Sequence, residues 1–111
     1  MSRFAEALAR LSATIESRKG ADPAGSYTAQ LMGQPDRAAK KLGEEAVEAV
    51  VAALSGDRAA LAAESADLIY HWLVVLAAAG VSLDEVAAQL EAREGTSGLD
   101  EKAGRGSFPS A

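Results

Sequence analysis

The sequence predicts an all-α fold, an antiparallel helical bundle that is completed by homodimerisation. Ala, Leu and Val dominate the apolar residues, whereas aromatic residues make up 5% of the chain and proline occurs three times. This composition favours helices over strands. Apolar residues also recur at helical spacing, and capping residues stand where such helices should begin and end. A length of 111 residues fits one domain.

Two helices are predicted in the first third of the chain. In the first, apolar residues recur three or four positions apart with charged residues between them, and this amphipathic helix should end near Arg18. Its apolar residues are Phe4, Leu8, Leu11 and Ile15. Residues 19–25 are expected to form a loop. Ser26 is suited to cap a short helix through about Met32, with Gly33 as its end.

Two long helices follow. Pro35 suits the first turn of a helix that runs to about Leu54, and residues 55–57 should form a turn. Asp57 is a good N-cap for a second long helix over 58–79. Because the connection is short, the two helices should be antiparallel.

The chain ends in a short helix and a polar tail. Ser82 with Glu85 forms a capping box for a last helix to about Glu94. Residues 95–111 are rich in Gly, Ser and charge, which is typical of a tail without a core of its own. We therefore predict a helical domain at 1–94 and a tail at 95–111.

Charge and composition exclude several function classes. The net charge of −5 argues against nucleic-acid binding, which requires many Lys and Arg to neutralise phosphates. The N-terminus has no apolar segment of the signal-peptide type, and no apolar run approaches the length of a membrane span. No cysteine is present, so disulfides, zinc-cysteine sites and thiol nucleophiles are excluded. The expected location is cytoplasmic, without a membrane partner.

Carboxylates crowd one face of the first long helix. At about 100° per residue, Glu44, Glu45 and Glu48 fall within one arc of roughly 100°. Lys41 lies in the same arc, and Arg37 is on the same stripe. Taken alone, this pattern is typical of a solvated helix face, and Glu45 is also able to pair with Lys41.

The second long helix makes that interpretation less suitable. It is apolar on nearly all sides, but Glu64, Asp67 and His71 form one polar stripe. Acids on a buried helix are costly unless they are paired or bind metal, so a cation should lie between the helices. His71 is expected to be a core residue or to support a ligand from behind, rather than to bind metal itself. The apolar surface from Leu68 to Ala79 also predicts a partner subunit.

A site made of carboxylates suits Mg²⁺, with Mn²⁺ as a possible substitute, better than Zn²⁺. Such a site predicts metal-assisted attack of water on a phosphoanhydride, in which one carboxylate positions or deprotonates the water. Several cationic side chains are available to contact phosphates directly. They are Lys40, Lys41, Arg93, Lys102 and Arg105.

Longer motifs give a more specific indication. The pattern of Glu44, Glu45 and Glu48 followed by Glu64 and Asp67 resembles the signature of the all-α nucleoside triphosphate pyrophosphohydrolases, which include MazG-type enzymes and dimeric dUTPases. Within that superfamily, four segments resemble the phosphoribosyl-ATP pyrophosphohydrolase family. They are SYTAQL at 26–31, KKLGEEAVE at 40–48, ADLIYH at 66–71 and GTSGLDEK at 95–102. The resemblance covers nearly the whole chain.

The resemblance implies a homodimeric bundle that hydrolyses phosphoribosyl-ATP to phosphoribosyl-AMP and pyrophosphate, the second step of histidine biosynthesis. It assigns the metal ligands to the i, i+3 acids of each long helix. These are Glu45, Glu48, Glu64 and Asp67. Glu44 and Glu45 are then the candidate catalytic carboxylates, and Glu44 orients water or a second ion. Tyr27, in the first matching motif, is a candidate substrate contact.

Two alternatives stay open on the sequence. One is a house-cleaning pyrophosphohydrolase that acts on canonical or damaged nucleotides with the same metal site. The other is a non-catalytic helical module that binds a partner, with the acids as surface charge. The Ser26 segment and Lys102 favour phosphoribosyl-ATP, because its additional phosphoribosyl group requires additional cationic contacts. The tail is then expected to fold over the substrate and to bring Lys102 and Arg105 to phosphates.

Overall fold

The structure, a computed structural model, describes residues 2–95. These residues form five α-helices and one 3₁₀ turn, without a strand, which confirms the predicted all-α class. The elements are α1 (Arg3–Ser17), the 3₁₀ turn (Pro23–Gly25), α2 (Tyr27–Met32), α3 (Pro35–Ser55), α4 (Arg58–Ala79) and α5 (Leu83–Ala92). The predicted tail, apart from Gly95, lies outside the described residues.

The predicted bounds agree closely with these elements, with small differences at two places. The expected loop at 19–25 contains the 3₁₀ turn, which the Asp22 carboxylate stabilises by accepting a hydrogen bond of 2.9 Å from the Ala24 amide. The last helix ends at Ala92, two residues earlier than predicted. The amides of Arg93 and Glu94 donate to carbonyls only three residues back, which closes the helix as a turn.

Side-chain caps fix where the helices begin. The Ser26 hydroxyl accepts a hydrogen bond of 3.1 Å from the Ala29 amide at the start of α2. The Asp57 carboxylate accepts one of 3.0 Å from Ala60 at the start of α4. Each cap satisfies a helical N–H group that has no partner within the helix, and its removal typically costs about 1 kcal/mol. α3 has no side-chain cap and begins instead with Pro35, which has no N–H group to satisfy.

A tight turn makes α3 and α4 an antiparallel hairpin. Gly56 closes α3 with a φ of 76°, in the left-handed region that favours glycine, and Asp57 at once begins α4. The two helices pack against each other along much of their length. The turn therefore fixes which residues of α3 lie opposite which residues of α4.

The core forms where α1 and α2 pack against α4. Its most completely buried large side chains are Ile15 on α1, Leu31 on α2 and Val74 on α4. Full burial of such a side chain contributes about 1.5–3 kcal/mol. His71 on α4 is the buried polar residue in the described part of the chain, with 8% of its surface exposed.

Two compact units divide the chain, one ending at Val81 and the other beginning at Ser82. In the second unit, Ser82 and Glu85 form the predicted capping box at the start of α5. In the first unit, α4 is long and apolar enough to span a membrane by length and composition, contrary to our expectation that no segment would be. The core helix of a soluble protein meets the same criterion, and α4 packs against α1, α2 and α3.

Candidate metal centre

The α3–α4 turn brings the acids of the two helices to the same levels of the hairpin. Glu48 lies eight residues before Gly56 and Glu64 eight residues after it, so both lie about 12 Å from the turn at 1.5 Å per residue. Glu45 and Asp67 each lie eleven residues from Gly56, on either side. The sequence spacing and the short turn together therefore place four carboxylates opposite one another in two pairs.

Three of these carboxylates form a tight cluster. Glu45, Glu48 and Glu64 each offer one oxygen, and these oxygens lie within 4.8 Å of one another. Glu45 and Glu64 are partly buried, whereas Glu48 is exposed. Like charges this close repel each other, so the cluster requires protons or a cation to be stable.

Two carboxylate oxygens in this cluster are buried and lack a partner. They are Oε2 of Glu45 and Oε2 of Glu64, neither of which has a hydrogen-bond partner among residues 2–95. A buried acceptor without a donor is unfavourable, because it has lost its hydration without replacement. The cluster thus contains two buried oxygens that accept no hydrogen bond from the described residues and could bind a cation.

Burial, hydrogen bonding and neighbouring charges raise the pKa of both partly buried acids, Glu45 and Glu64. The pKa of Glu45 is raised mainly by burial, then by a hydrogen bond that its protonated form donates to Glu48 and by the charges of Glu48 and Asp67, against the opposing charge of His71. For Glu64, the hydrogen bond to Glu48 is the largest cause of the raised pKa, followed by burial and the neighbouring charges. A cation in the cluster would reverse these effects.

Asp67 belongs to the same group of charges but not to the tight cluster. Its charge raises the pKa values of both Glu45 and Glu64. Its backbone carbonyl lies 2.8 Å from Nδ1 of His71. A carbonyl can only accept, so Nδ1 carries a proton and leaves Nε2 as the ring nitrogen for a further contact. That Nε2 atom is buried and also lacks a partner among the described residues.

The N-terminal half of the acidic face carries positive charge. Lys41 pairs with Glu44 at 3.8 Å, rather than with Glu45, the partner that the solvated-face interpretation allowed. This pairing leaves Glu45 available to the cluster. Lys40, on the same helix, is exposed. Glu44 itself is exposed and lies outside the 4.8 Å cluster.

The short helix α2 is fastened to α4 close to this site. The hydroxyls of Thr28 and Tyr70 are hydrogen-bonded at 2.5 Å, and the Tyr70 ring packs edge-on against His71 at 4.9 Å between centroids. Beside Thr28, the ring of Tyr27 lies 5.8 Å from the Arg37 guanidinium carbon. The sequence did not predict either contact, although Arg37 was already placed on the acidic stripe.

The remaining predicted cationic contacts lie elsewhere. Arg93 follows α5 in the second compact unit. Lys102 and Arg105 lie outside the described residues. The first unit therefore brings Glu45, Glu48 and Glu64 together and contains Lys40, Lys41 and Tyr27, but the three C-terminal cations stay predictions from the sequence.

These features define a class of protein, an all-helical chain whose two long antiparallel helices gather carboxylates into one partly buried cluster. Comparison with known families identifies the particular member of that class. The family model described as phosphoribosyl-ATP pyrophosphohydrolase matches residues 8–94. The chain belongs to this family, as the motifs in the sequence indicated.

Close relatives agree with this assignment. Phosphoribosyl-ATP pyrophosphatase of Caulobacter vibrioides is 66% identical over 103 residues, covering 93% of this chain and 96% of the relative. The protein of the same name from Cereibacter sphaeroides is 63% identical over 100 residues, covering 89% and 97%. The one from Rhodobacter capsulatus is 59% identical over 101 residues, covering 90% and 98%. Nearly the whole chain is therefore similar to these enzymes.

Proposed function

We propose that this chain hydrolyses phosphoribosyl-ATP to phosphoribosyl-AMP and pyrophosphate with the help of Mg²⁺, the second step of histidine biosynthesis. The observation that carries the proposal is the cluster of Glu45, Glu48 and Glu64, whose oxygens lie within 4.8 Å of one another. Its relatives with 59–66% identity are named phosphoribosyl-ATP pyrophosphatase, which supports the choice of substrate.

The residues of the cluster fit a hard divalent cation. All the candidate ligands are carboxylate oxygens, which suit Mg²⁺, and Mn²⁺ accepts the same donors. The unpartnered oxygens of Glu45 and Glu64 would gain the positive partner that they lack. Glu48 would join them, and Asp67, whose charge acts on both, would complete the set.

When bound, the metal supplies neutralisation of the polyphosphate and polarisation of its oxygens. The protein's own residues then hold the substrate and position a water molecule for attack. That attack breaks the link between the α- and β-phosphates, and the oxygen of the water stays on the phosphorus that it attacks. Glu44 and Glu45 are the proposed carboxylates for positioning or deprotonating the water, since Glu45 belongs to the cluster and Glu44 directly precedes it on α3.

His71 supports the site from behind in this proposal. Its Nδ1–H group donates to the Asp67 carbonyl, which fixes the orientation of the ring. The buried Nε2, which has no partner among residues 2–95, would then form a hydrogen bond with a group held in the cluster, such as a water molecule. This role explains why a polar ring is kept in an otherwise apolar part of α4.

Cationic side chains would contact the phosphates that the metal leaves free. Lys40 and Lys41 lie on α3 next to the acids, and Tyr27 lies at the start of α2. Exchange of the partner of Lys41 from Glu44 to a phosphate costs little, because exposed ion pairs contribute only about 0–1 kcal/mol. Arg93, Lys102 and Arg105 stay proposed contacts from the sequence.

We further propose that the enzyme is a homodimer. Four large apolar residues at i, i+3, i+4 and i+7 of α3 are exposed, and we call them the α3 apolar stripe. They are Val47, Val50, Val51 and Leu54, with exposed fractions from 57% to 83%. A continuous stripe of this kind is typical of a surface that another protein subunit covers.

The same features support a soluble, cytoplasmic location. The acids and His71 interrupt the apolar surface of α4, and polar groups are expensive inside a bilayer. A second subunit would cover the exposed apolar residues without lipid. The net charge of −5 also disfavours nucleic acid as a partner.

Product analysis tests the proposal directly. Purified protein with phosphoribosyl-ATP and Mg²⁺ should release pyrophosphate and phosphoribosyl-AMP, and EDTA should abolish the reaction. Release of orthophosphate, or faster turnover of canonical nucleoside triphosphates, would instead favour a different pyrophosphohydrolase or phosphatase. A chain with neither activity nor Mg²⁺ binding would be a non-catalytic module.

A further inference from the structure

Tyr27 and Arg37 form an exposed pair at the edge of the first unit. The guanidinium carbon of Arg37 lies 5.8 Å from the centroid of the Tyr27 ring, and 43% of the Tyr27 surface is exposed. No carboxylate pairs with Arg37 anywhere in residues 2–95, although the chain is acidic overall. Its N–H donors are therefore available to an anion from outside.

Helix geometry places Arg37 on the acidic face at a defined distance from the cluster. At 100° per residue, Arg37 falls between Glu44 and Glu48 around the axis of α3. Along the axis it lies about 12 Å before Glu45, at 1.5 Å per residue. A ligand that is held at the cluster by one end would have to span about 12 Å along α3 to contact Arg37 with its other end.

The position of Tyr27 is fixed by the rest of α2. The neighbouring residue Thr28 is hydrogen-bonded to Tyr70 of α4 at 2.5 Å, and Gln30 donates a hydrogen bond of 2.8 Å to the Pro23 carbonyl. Ser26 caps the same helix. The backbone that carries Tyr27 is thus held in place, and the ring lies where it can orient the guanidinium of Arg37 through a cation–π contact.

We infer that Tyr27 and Arg37 bind the phosphate of the phosphoribosyl group that distinguishes phosphoribosyl-ATP from ATP. The inference rests on the proposed function. This group carries a phosphomonoester separated from the triphosphate by a ribose, a purine and a second ribose, so it requires its own cationic contact away from the metal cluster. Arg37 is then a specificity-determining residue, and Tyr27 is the residue that positions it.

The chemistry of both residues suits this ligand. A guanidinium binds phosphate through two parallel N–H···O bonds, and an aromatic face leaves those donors free while restricting the side chain. The phosphate also avoids the carboxylates of the cluster, which would repel it about 12 Å further along α3. The proposed metal site in the middle of α3 and the proposed arginine contact near its N-terminus would thus hold different parts of the ligand.

The affinity for the product distinguishes a contact to the phosphoribosyl phosphate from a contact in the catalytic centre. In isothermal titration without metal, the wild type should bind phosphoribosyl-AMP more tightly than AMP. Arg37→Gln should weaken phosphoribosyl-AMP binding roughly ten- to a hundredfold, as expected for loss of a charge-assisted contact, and leave AMP binding unchanged. Arg10→Gln, on the exposed surface of α1, removes the same charge and should change neither.

Kinetics provide the second measurement. Arg37→Gln should raise KM for phosphoribosyl-ATP with a smaller change in kcat, while the inhibition constant of ATP stays the same. Tyr27→Ala should weaken phosphoribosyl-AMP binding about two- to fivefold, through loss of the cation–π contact, and Tyr27→Phe should not. Circular dichroism of each variant checks that the helices are intact.

Each remaining outcome overturns the inference. If Arg37→Gln loses affinity equally for phosphoribosyl-AMP and AMP, Arg37 contacts the part that the two ligands share. If it loses no affinity for either ligand, Arg37 is not part of the site. The proposed function fails separately, if the wild type does not release pyrophosphate from phosphoribosyl-ATP. The inference fails alone if the wild type turns over this substrate but binds phosphoribosyl-AMP no better than AMP.

Discussion

Glu45 on α3 and Glu64 on α4 each have one buried carboxylate oxygen without a partner among residues 2–95, in a cluster whose oxygens lie within 4.8 Å of one another. The two acids come from opposite sides of the Gly56 turn, so their approach depends on the whole hairpin rather than on one helix. In the absence of metal this arrangement is unfavourable, and with metal it provides ligands that are already positioned.

The first prediction concerns the charges of the cluster and its neighbour. Glu48→Gln or Asp67→Asn should lower kcat at subsaturating Mg²⁺ by more than about 100-fold, beyond the 10–100-fold typical of residues that only support metal ligands. The helical fold should be intact or slightly more stable without metal, because one repelling charge is gone. Steady-state kinetics and thermal unfolding measure the two effects.

Glu6→Gln, on the exposed surface of α1, is the matched control: it should leave kcat unchanged and should not stabilise the fold, since Glu6 lies in the first turn of its helix. Near-normal activity of both cluster variants at low Mg²⁺ would remove Glu48 and Asp67 from the metal site. Loss of helical structure in both would show instead that these acids stabilise the fold.

The second prediction is a pH dependence of the metal-free protein. The folded state raises the pKa values of Glu45 and Glu64 above the ordinary 4.5. Between pH 4.5 and the raised pKa values, the folded state therefore binds more protons than the unfolded state. These groups therefore favour folding most below pH 4.5, and their contribution is lost as pH rises through the raised values. Thermal unfolding in EDTA should show that Glu64→Gln gains stability over the wild type as pH increases.

Saturating Mg²⁺ should reverse that order near neutral pH, because the wild type then gains more stability from the metal than Glu64→Gln does. A difference in Tm that does not change with pH in EDTA would contradict the raised pKa of Glu64.

Much of this site could be predicted from local sequence signals. The caps at Ser26 and Asp57 and the glycine at Gly56 act on their own helix ends, so the helix bounds follow from the sequence. The acids of the two stripes then meet because Glu48 and Glu64 lie equally far from Gly56. Prediction of the carboxylate cluster therefore required only the hairpin of α3 and α4.

Contacts between distant elements could not be predicted in the same way. The hydrogen bond from α2 to Tyr70 depends on how α2 packs against α4, and no spacing in the sequence specifies that packing. Lys41 has Glu44 and Glu45 at i+3 and i+4, both within reach on a helix, so the sequence alone did not decide between them. The structure assigns Glu44 to the pair.

The third prediction tests the supporting role of His71. His71→Leu should lower Mg²⁺ affinity roughly 10–100-fold, as for other residues behind metal ligands, although the apolar side chain suits the buried position. It also removes the unpartnered buried Nε2 atom, so the metal-free protein should not lose stability beyond about 1.5 kcal/mol. Calorimetric Mg²⁺ titration and urea unfolding test both statements, and unchanged affinity would make His71 a core residue only.

The fourth prediction concerns the tail, which lies outside the described residues. Truncation after Arg93 should raise KM for phosphoribosyl-ATP and lower kcat, since Lys102 and Arg105 are proposed to reach phosphates. Dimerisation and Mg²⁺ binding should be unchanged. The double variant Lys102→Gln and Arg105→Gln should reproduce most of the effect on KM. If the truncated enzyme has the kinetic constants of the full chain, both residues leave the list of substrate contacts.

The last prediction concerns the α3 apolar stripe and the proposed dimer. Val50 lies in the middle of the stripe with 57% of its surface exposed in the single chain, so it should become buried only when a second subunit packs against α3. Val50→Asp would then bury a charge without a partner and should raise the dimer dissociation constant at least about 100-fold.

Ala13→Asp provides the matched control, because it adds the same charge at an exposed position of α1. The wild type and the control should have twice the monomer mass by light scattering at micromolar concentration, and Val50→Asp should be a monomer with intact helices by circular dichroism. A dimeric Val50→Asp would move the interface away from the stripe. A monomeric wild type would contradict the dimer itself, and the exposed valines of α3 would then require another partner.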